Sequence, residues 1–365
     1  MEDSFNIISF LKSAVATGAS DEHLKVDHAP FIRKNGFIKK TNMKPLTKDD
    51  LDRAILEIAP TSLSDTILTK CDIDFMYEIR GFARFRVNYN RQLGNPSLVI
   101  RNISYGIPSV EDLKLPEALN EIIDYQSGIV LVTGPTGSGK STTLASLINQ
   151  ISLKTSKHIV TIEDPVEYVF SCNKGIISQR QVGVDTASYS DGIKYALRQD
   201  PDVIFIGEIR DMDTMAAALK ASETGHLVLT TLHTNDAVQT INRIINMFEE
   251  ANRELVRKQL AETLRVTIAQ KLIYSEANQT RYPACEIMVM TPAIRDYIIK
   301  DNIDEIYDLL KENNFDCMIS LNTSLANLVS RGLISKEDAL ANSNDKNELE
   351  QIFRGVYQGS KAYYE

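Results

Sequence analysis

Apolar residues recur at helical spacing from Asn6 to Ala16, where Ile7, Ile8, Leu11 and Val15 form one stripe, and Thr47-Lys48-Asp49-Asp50 is a capping signal that opens a second helix. Asp72 to Glu78 and Phe82 to Asn88 instead alternate apolar with polar residues around Gly81, which predicts two paired strands. Residues 1–105 therefore read as a small α+β unit. Two turn signals follow in the stretch Arg101 to Leu115, at Tyr105-Gly106 and Pro108-Ser109, so 106–116 is assigned as a linker before the helical pattern of Glu117 to Asp124. Beyond Gly128 short apolar runs (Ile129 to Thr133, His158 to Ile162, Val203 to Ile206, Leu227 to Thr231) alternate with helical segments at Ser141 to Ile151, Asp191 to Arg198 and Thr214 to Glu223. Continuous apolar runs joined by helices predict an α/β fold whose mostly parallel sheet is covered on both faces. Residues 117–365 are read as that domain. Its carboxy-terminal region, about Ala251 to Glu365, is expected to be mostly helical and holds the capping box Ser335-Lys336-Glu337-Asp338.

Composition narrows the class without changing this outline. A chain of 365 residues exceeds the usual size of one hydrophobic core, and 43% hydrophobic with 24% charged residues describes a globular protein, not a disordered one. The 40 Lys+Arg against 49 Asp+Glu leave a net charge of -9, which counts against a surface built to hold nucleic acid or anionic lipid. Cys71, Cys172, Cys285 and Cys317 are too scattered for a disulfide framework or a zinc ribbon. Met1 to Thr17 carries Glu2 and Asp3 with no basic region ahead of an apolar block, and no stretch reaches the ~18 apolar residues of a spanning helix. A cytoplasmic protein is expected, without direct membrane insertion, whose membrane contacts run through protein partners.

Four segments carry chemistry. Gly134-Pro135-Thr136-Gly137-Ser138-Gly139-Lys140-Ser141 fits GxxxxGK[ST], directly after an apolar strand and before a helix that begins with Thr142. Phosphates concentrate negative charge, so such a loop aims backbone N–H groups inward beside the positive end of a helix; Lys140 would reach the β/γ-phosphates and the Ser141 hydroxyl would bind Mg²⁺. Asp202-Val203-Ile204-Phe205-Ile206-Gly207-Glu208 is a buried strand ending in a carboxylate, placed to meet the metal and its waters. Val160-Thr161-Ile162-Glu163-Asp164-Pro165 ends a third strand, and Glu163 is the candidate for orienting or deprotonating an attacking water. The run 224–234 holds His226, explicable beside the helix C-cap Gly225, and His233, which follows the strand where a side chain could sense the γ-phosphate.

These segments in this order resemble the secretion ATPases of the type II secretion and type IV pilus superfamily, from Gly18-Ala19-Ser20-Asp21-Glu22-His23-Leu24 to Ala293-Ile294-Arg295. Without the four-cysteine insertion of extension ATPases, the chain is most similar to the pilus retraction branch. The resemblance implies a PAS-like amino-terminal domain, a RecA-like P-loop ATPase domain, ATP and Mg²⁺ as cofactors and a ring-shaped homohexamer. It implies an inner-membrane pilus platform protein as partner, with room for a second retraction ATPase, and a position at the inner face of the cytoplasmic membrane. Residue by residue it supports Lys140 and Ser141 at the phosphates and metal, Glu163 as the water-polarising acid and Glu208 at the metal. It adds Arg84, Arg86 and Arg101 as arginines that reach from the amino-terminal domain toward the nucleotide; the first two lie two apart, on one face of a strand. An extension or type II secretion ATPase stays open as a reading. So does a RecA-like nucleic-acid motor, against which count the acidic balance and the absence of Trp. From another class comes a nucleotide-binding switch with little turnover; its GTPase form should carry NKxD, and Asn173-Lys174-Gly175-Ile176 lacks the Asp.

Overall fold

The computed structural model describes residues 5–34, 36–61, 63–64, 66–103, 106–312 and 317–355. Tyr105 of the linker's first turn signal and residues 356–365 of the helical carboxy-terminal reading lie outside them. Two compact units divide the chain, Met1–Gly106 and Ile107–Glu365. Among the described residues no helix is long and apolar enough to cross a membrane.

The first unit is an antiparallel sheet of β1 (Asp21–Lys25), β2 (Phe31–Lys34), β3 (Phe37–Lys40), β4 (Asp72–Ile79), β5 (Ala83–Gln92) and β6 (Asn95–Ile103), in the order β3-β2-β1-β6-β5-β4. Helices α1 (Ile7–Ala16) and α2 (Lys48–Ile58) cover one face. Both start where a short polar side chain satisfies an orphan amide: Asn6 accepts from Ser9, and Thr47 and Asp50 form a reciprocal capping box. Strict alternation along β5 buries Phe85, Val87 and Tyr89 against Leu11, Leu51 and Ile55 of those helices. Arg84 and Arg86 are thereby turned to the opposite face.

The second unit is a seven-stranded sheet, order β13-β12-β7-β11-β10-β8-β9, built from β7 (Gly128–Thr133), β8 (His158–Glu163), β9 (Ile176–Gln181), β10 (Val203–Ile206), β11 (Leu227–Leu232), β12 (Leu264–Ser275) and β13 (Thr280–Val289). All pairings are parallel except β12 with the edge strand β13. Alternate residues of β7 serve different cores. Ile129 and Leu131 join the side covered by α4 (Tyr189–Ala196), α5 (Met212–Glu223), α6 (Ala237–Asn246) and α7 (Glu250–Thr263), whereas Val130 and Val132 pack with α3 (Lys140–Lys154). Burial on both faces is why these strands read as unbroken apolar runs. Helices α8 (Pro292–Ile299) and α9 (Ile306–Glu312) extend the first side, and α10 (Leu321–Ser330), α11 (Lys336–Asn342) and α12 (Lys346–Phe353) cover the hairpin through Ile273, Ala284, Leu325 and Leu349.

The structure departs from the sequence expectation in three places. Within the largely helical stretch from Ala251 onward, β12 and β13 form a hairpin that widens the sheet. Both faces of β12 are buried over much of its length, so the period of two that marks a half-exposed strand is absent. The pattern at Glu117–Asp124 winds as a 3₁₀ helix, opening after Pro116. Strands β1–β3 and β9 are short and polar, and no alternation announces them.

Gly128 opens β7 at φ 113°, and a Cβ there would stand 2.6 Å from the Thr263 carbonyl oxygen and 2.6 Å from Cγ of Arg265. Gly128→Ala should therefore cost about 2–3 kcal/mol from backbone strain and the forced shift together. Chemical unfolding followed by circular dichroism reads this directly; an unchanged midpoint would mean the junction relaxes freely.

Candidate active site

The phosphate-loop signature stands between β7 and α3, as strand, loop and helix in direct succession. Its backbone passes so close to β12 that a side chain at Gly134 (φ 143°) would collide with the Gln270 carbonyl, and one at Gly139 (φ 88°) would lie 2.9 Å from Nε2 of Gln270. Gln270 does more than limit space. Its Nε2 donates to the Ser138 carbonyl at 2.7 Å, and its Oε1 accepts from the Thr143 hydroxyl at 2.8 Å, joining loop and helix through one buried amide. Pro135, Thr136 and Gly137 form the exposed crown. Lys140 is buried, and Nζ donates to the carbonyls of Gly134 at 2.9 Å and Pro135 at 3.1 Å. Burial holds this lysine below its ordinary range, opposed by the charges of Glu208 and Glu167. Ser141 follows at the first turn of α3, a turn without acidic residues, so the helix's positive end is not cancelled. The Thr142 hydroxyl meets Tyr168 at 3.0 Å.

Glu163 is the last residue of β8 and is 5% exposed. Thr161, two residues earlier on the same face, donates to its Oε1 at 2.7 Å; Gln179 of β9 adds a bond at 3.3 Å, and the Glu167 amide reaches Oε2 at 3.4 Å. Burial outweighs these bonds and pushes the Glu163 carboxyl up to about 7. Glu208 lies two residues past β10. It is held by Arg210 at 2.6 Å, and Nε2 of His233, just past β11, lies 3.3 Å from its other oxygen. Hydrogen bonds knit these strand ends together: the Gly207 amide donates to Ile162, and the Thr231 hydroxyl donates to Gly207. The loop, Glu163, Glu208 and His233 thus gather at the carboxyl ends of β7, β8, β10 and β11, which lie side by side as β7-β11-β10-β8. His226, by contrast, turns Nδ1 to the Ala221 carbonyl at 2.9 Å, a helix-end role.

Arg84, Arg86 and Arg101 belong to the other unit, where they share one face of the sheet: Arg86 lies directly opposite Arg101, and Arg84 is two residues along. Such like charges repel, and carboxylates offset them, Asp21 bonding Nε of Arg101 at 2.9 Å and Asp74 lying 3.4 Å from Arg86. Burial alone would raise Asp21, but the bonds from Arg101 and Ser20 and the charge of Arg33 hold it below the usual carboxylate range. Nε and Nη1 of Arg84 are buried with no partner among the described residues.

This arrangement has close counterparts. The sequence profile of the Type II/IV secretion system protein family matches residues 83–296. The chain is 39% identical over 334 residues to the type IV pilus retraction ATPase PilT of Pseudomonas aeruginosa, covering 92% of this chain and 97% of that one. The chain belongs to the Type II/IV secretion system protein family. A second relative, the twitching motility protein of Neisseria gonorrhoeae, is 37% identical over 336 residues, with 92% of this chain and 90% of the relative covered. Among solved structures, the pilus retraction motor PilT with bound ADP superposes with a TM-score of 0.87 at 40% identity, spanning 95% of this chain and 99% of that one. In this family member the motif residues are held by side chains that motif reading overlooks. Gln270, Thr161, Gln179, Tyr168 and Arg210 all touch motif residues. Only Gln270 had a legible signal, a polar residue inside an apolar run, and the helical reading of that segment concealed it.

Gln270→Ala would leave the Ser138 carbonyl and the Thr143 hydroxyl buried without their partner. A buried polar group stripped of its partner costs about 1–3 kcal/mol, so nucleotide affinity should fall ~10-fold. Titration with a fluorescent ATP analogue tests this, and wild-type affinity would show that the loop holds its shape without the amide.

Proposed function

We propose that this chain is a motor ATPase that hydrolyses ATP to drive type IV pilus retraction, working as a homohexamer against an inner-membrane platform protein, with a second retraction ATPase as a further partner. It acts as a cytoplasmic protein at the inner face of the membrane. The observation that carries the reading is the convergence of a phosphate loop, two carboxylates and a histidine on four adjacent strand ends, in a chain similar over 92% of its length to a retraction ATPase.

In this reading Gly134 to Thr142 bind the nucleotide phosphates, and Lys140 leaves the Gly134 and Pro135 carbonyls for the β/γ-phosphates. Among the described residues there is no group of three or more His, Cys, Asp or Glu able to hold a metal unaided. One hydroxyl, Ser141, and one carboxylate, Glu208, fit magnesium, which takes few protein ligands beside phosphate and water oxygens. When bound it would supply positive charge at the β/γ-phosphates. Glu163 holds the attacking water and takes its proton; a carboxyl with a pKa of about 7 is matched to that task near neutral pH. Arg84, Arg86 and Arg101 neutralise charge on the γ-phosphate. His233 reports phosphate occupancy to Glu208, its neighbour at 3.3 Å.

Glu163→Gln should bind ATP yet hydrolyse it at least ~100-fold more slowly. The base form of Glu163 is populated above about 7, so wild-type kcat should rise with pH through that value, and the rise should vanish in E163Q. Stability follows the opposite sign: the proton held by folded Glu163 favours the fold in acid, and that contribution is lost as pH climbs through about 7. Wild-type turnover in E163Q would move the base role elsewhere.

Replacing Arg84, Arg86 or Arg101 by Ala should lower kcat by ~10- to 1000-fold with nucleotide binding intact, and Lys should rescue poorly because it lacks the planar fork. Phosphate release measured beside sedimentation separates lost chemistry from failed ring assembly. Unchanged kcat in all three would remove them from the site.

A further inference from the structure

The loop that carries His233 ends at Asp236, and this end is gripped by two elements with no part in the chemistry above. Asp236 caps α6: its Oδ1 accepts from the Gln239 amide at 2.7 Å, and its carbonyl accepts from the Thr240 hydroxyl at 2.6 Å. The same Oδ1 accepts from the Tyr307 hydroxyl of α9 at 3.1 Å. One residue on, the Ala237 amide donates to Oε1 of Glu286 on β13 at 2.9 Å, a contact buried from solvent. First-turn amides of a helix need an outside acceptor, and the N-cap ordinarily supplies one. Bringing in a second carboxyl, 8% exposed, is a costly way to add another. The charged and titratable groups facing it are Asp236, Lys271 and Tyr307; burial and the Asp236 charge push Glu286 up to about 7, opposed by the Ala237 amide and Lys271.

We propose that Glu286 and Tyr307 are positioning residues for turnover, pinning the start of α6 so that the 233–236 loop holds His233 within 3.3 Å of Glu208. The inference rests on the reading of His233 and Glu208 as members of the nucleotide site. Neither Glu286 nor Tyr307 meets a reacting atom; each acts through Asp236 or Ala237. β13 leads directly into α8, and Ile241 and Ile244 of α6 share a core with Ile294 and Ile298 of α8 and Ile306. The loop is therefore tied by one directed hydrogen bond to β13 and one to α9, and α6 is tied to α8 by packing. A displacement of the start of α6 must either carry β13 and α9 along or break these bonds.

The experiment uses the full chain and its E286A, E286Q, Y307F and H233A variants. In E286A, amide hydrogen exchange over residues 234–240 should accelerate ~10-fold or more while that of α3 stays unchanged. Turnover should fall ~10-fold with the Kd for a fluorescent ATP analogue held within about twofold. E286Q retains an oxygen able to accept from Ala237 and should keep both exchange and kcat within ~3-fold of wild type. Y307F removes one hydroxyl and should give a smaller loss of the same kind; it decides the matter if E286A does not fold. Wild-type exchange and turnover in both E286A and Y307F would overturn the proposal. So would loss of nucleotide binding in step with turnover, the mark of a purely structural role, or an E286Q as defective as E286A. Wild-type turnover in H233A would instead overturn the role of His233, and the exchange data would still judge the anchoring.

Discussion

The carbonyl groups of the phosphate loop need donors of their own, and the structure supplies them from inside the protein. Lys140 engages the Gly134 and Pro135 carbonyls, and the Gln270 side chain engages that of Ser138. Each bond gives a loop carbonyl a side-chain donor. Gln270 achieves this because β12 runs parallel to β7, the strand feeding the loop. The glycines at 134 and 139 follow from the same contact, since any side chain there would meet β12. Sheet order, loop sequence and helix start are thus one solution to one problem.

Gathering acids at strand ends creates a second tension. A carboxylate at the end of a buried strand loses its water, and Glu163 shows the result, a pKa of about 7 despite three hydrogen bonds. Glu208 solves the problem differently, with Arg210 at 2.6 Å on one oxygen and His233 at 3.3 Å on the other. Two acids of one type therefore have different electrostatic characters. The one without a cation is suited to exchange a proton near neutral pH; the other has a guanidinium on one oxygen and an imidazole beside the second.

The placement of the candidate site was legible in the sequence because motifs report positions where few residue types work. Gly134 to Ser141, Glu163, Glu208 and His233 come together as their strand-end contexts imply. The strands that carry them were legible too, as apolar runs buried on both faces. What stayed hidden was support. Gln179 and Thr161 matter through three-dimensional pairing, facing each other across neighbouring strands, and such residues carry no spacing signal of their own; the signal at Gln270 was concealed by the helical reading of its segment. The hairpin β12–β13 was hidden for a related reason: burial on two faces erases the alternation that distinguishes strand from buried helix.

The cations among the strand ends already have internal partners: Lys140 on two carbonyls and Arg210 on Glu208. A phosphate arriving there would not meet free charges. It would exchange partners with them, and only the difference between the old and new interactions would appear as affinity. Such exchange suits a motor that must also release its product, because tight internal pairs restrain ground-state binding while leaving the cations available to charge that develops later. In the first unit, Arg84 differs from Arg86 and Arg101 on the same sheet face, with Nε and Nη1 buried and no partner among the described residues. Its guanidinium would give up no internal bond at those atoms on meeting an anion, whereas Arg86 and Arg101 would each exchange a carboxylate.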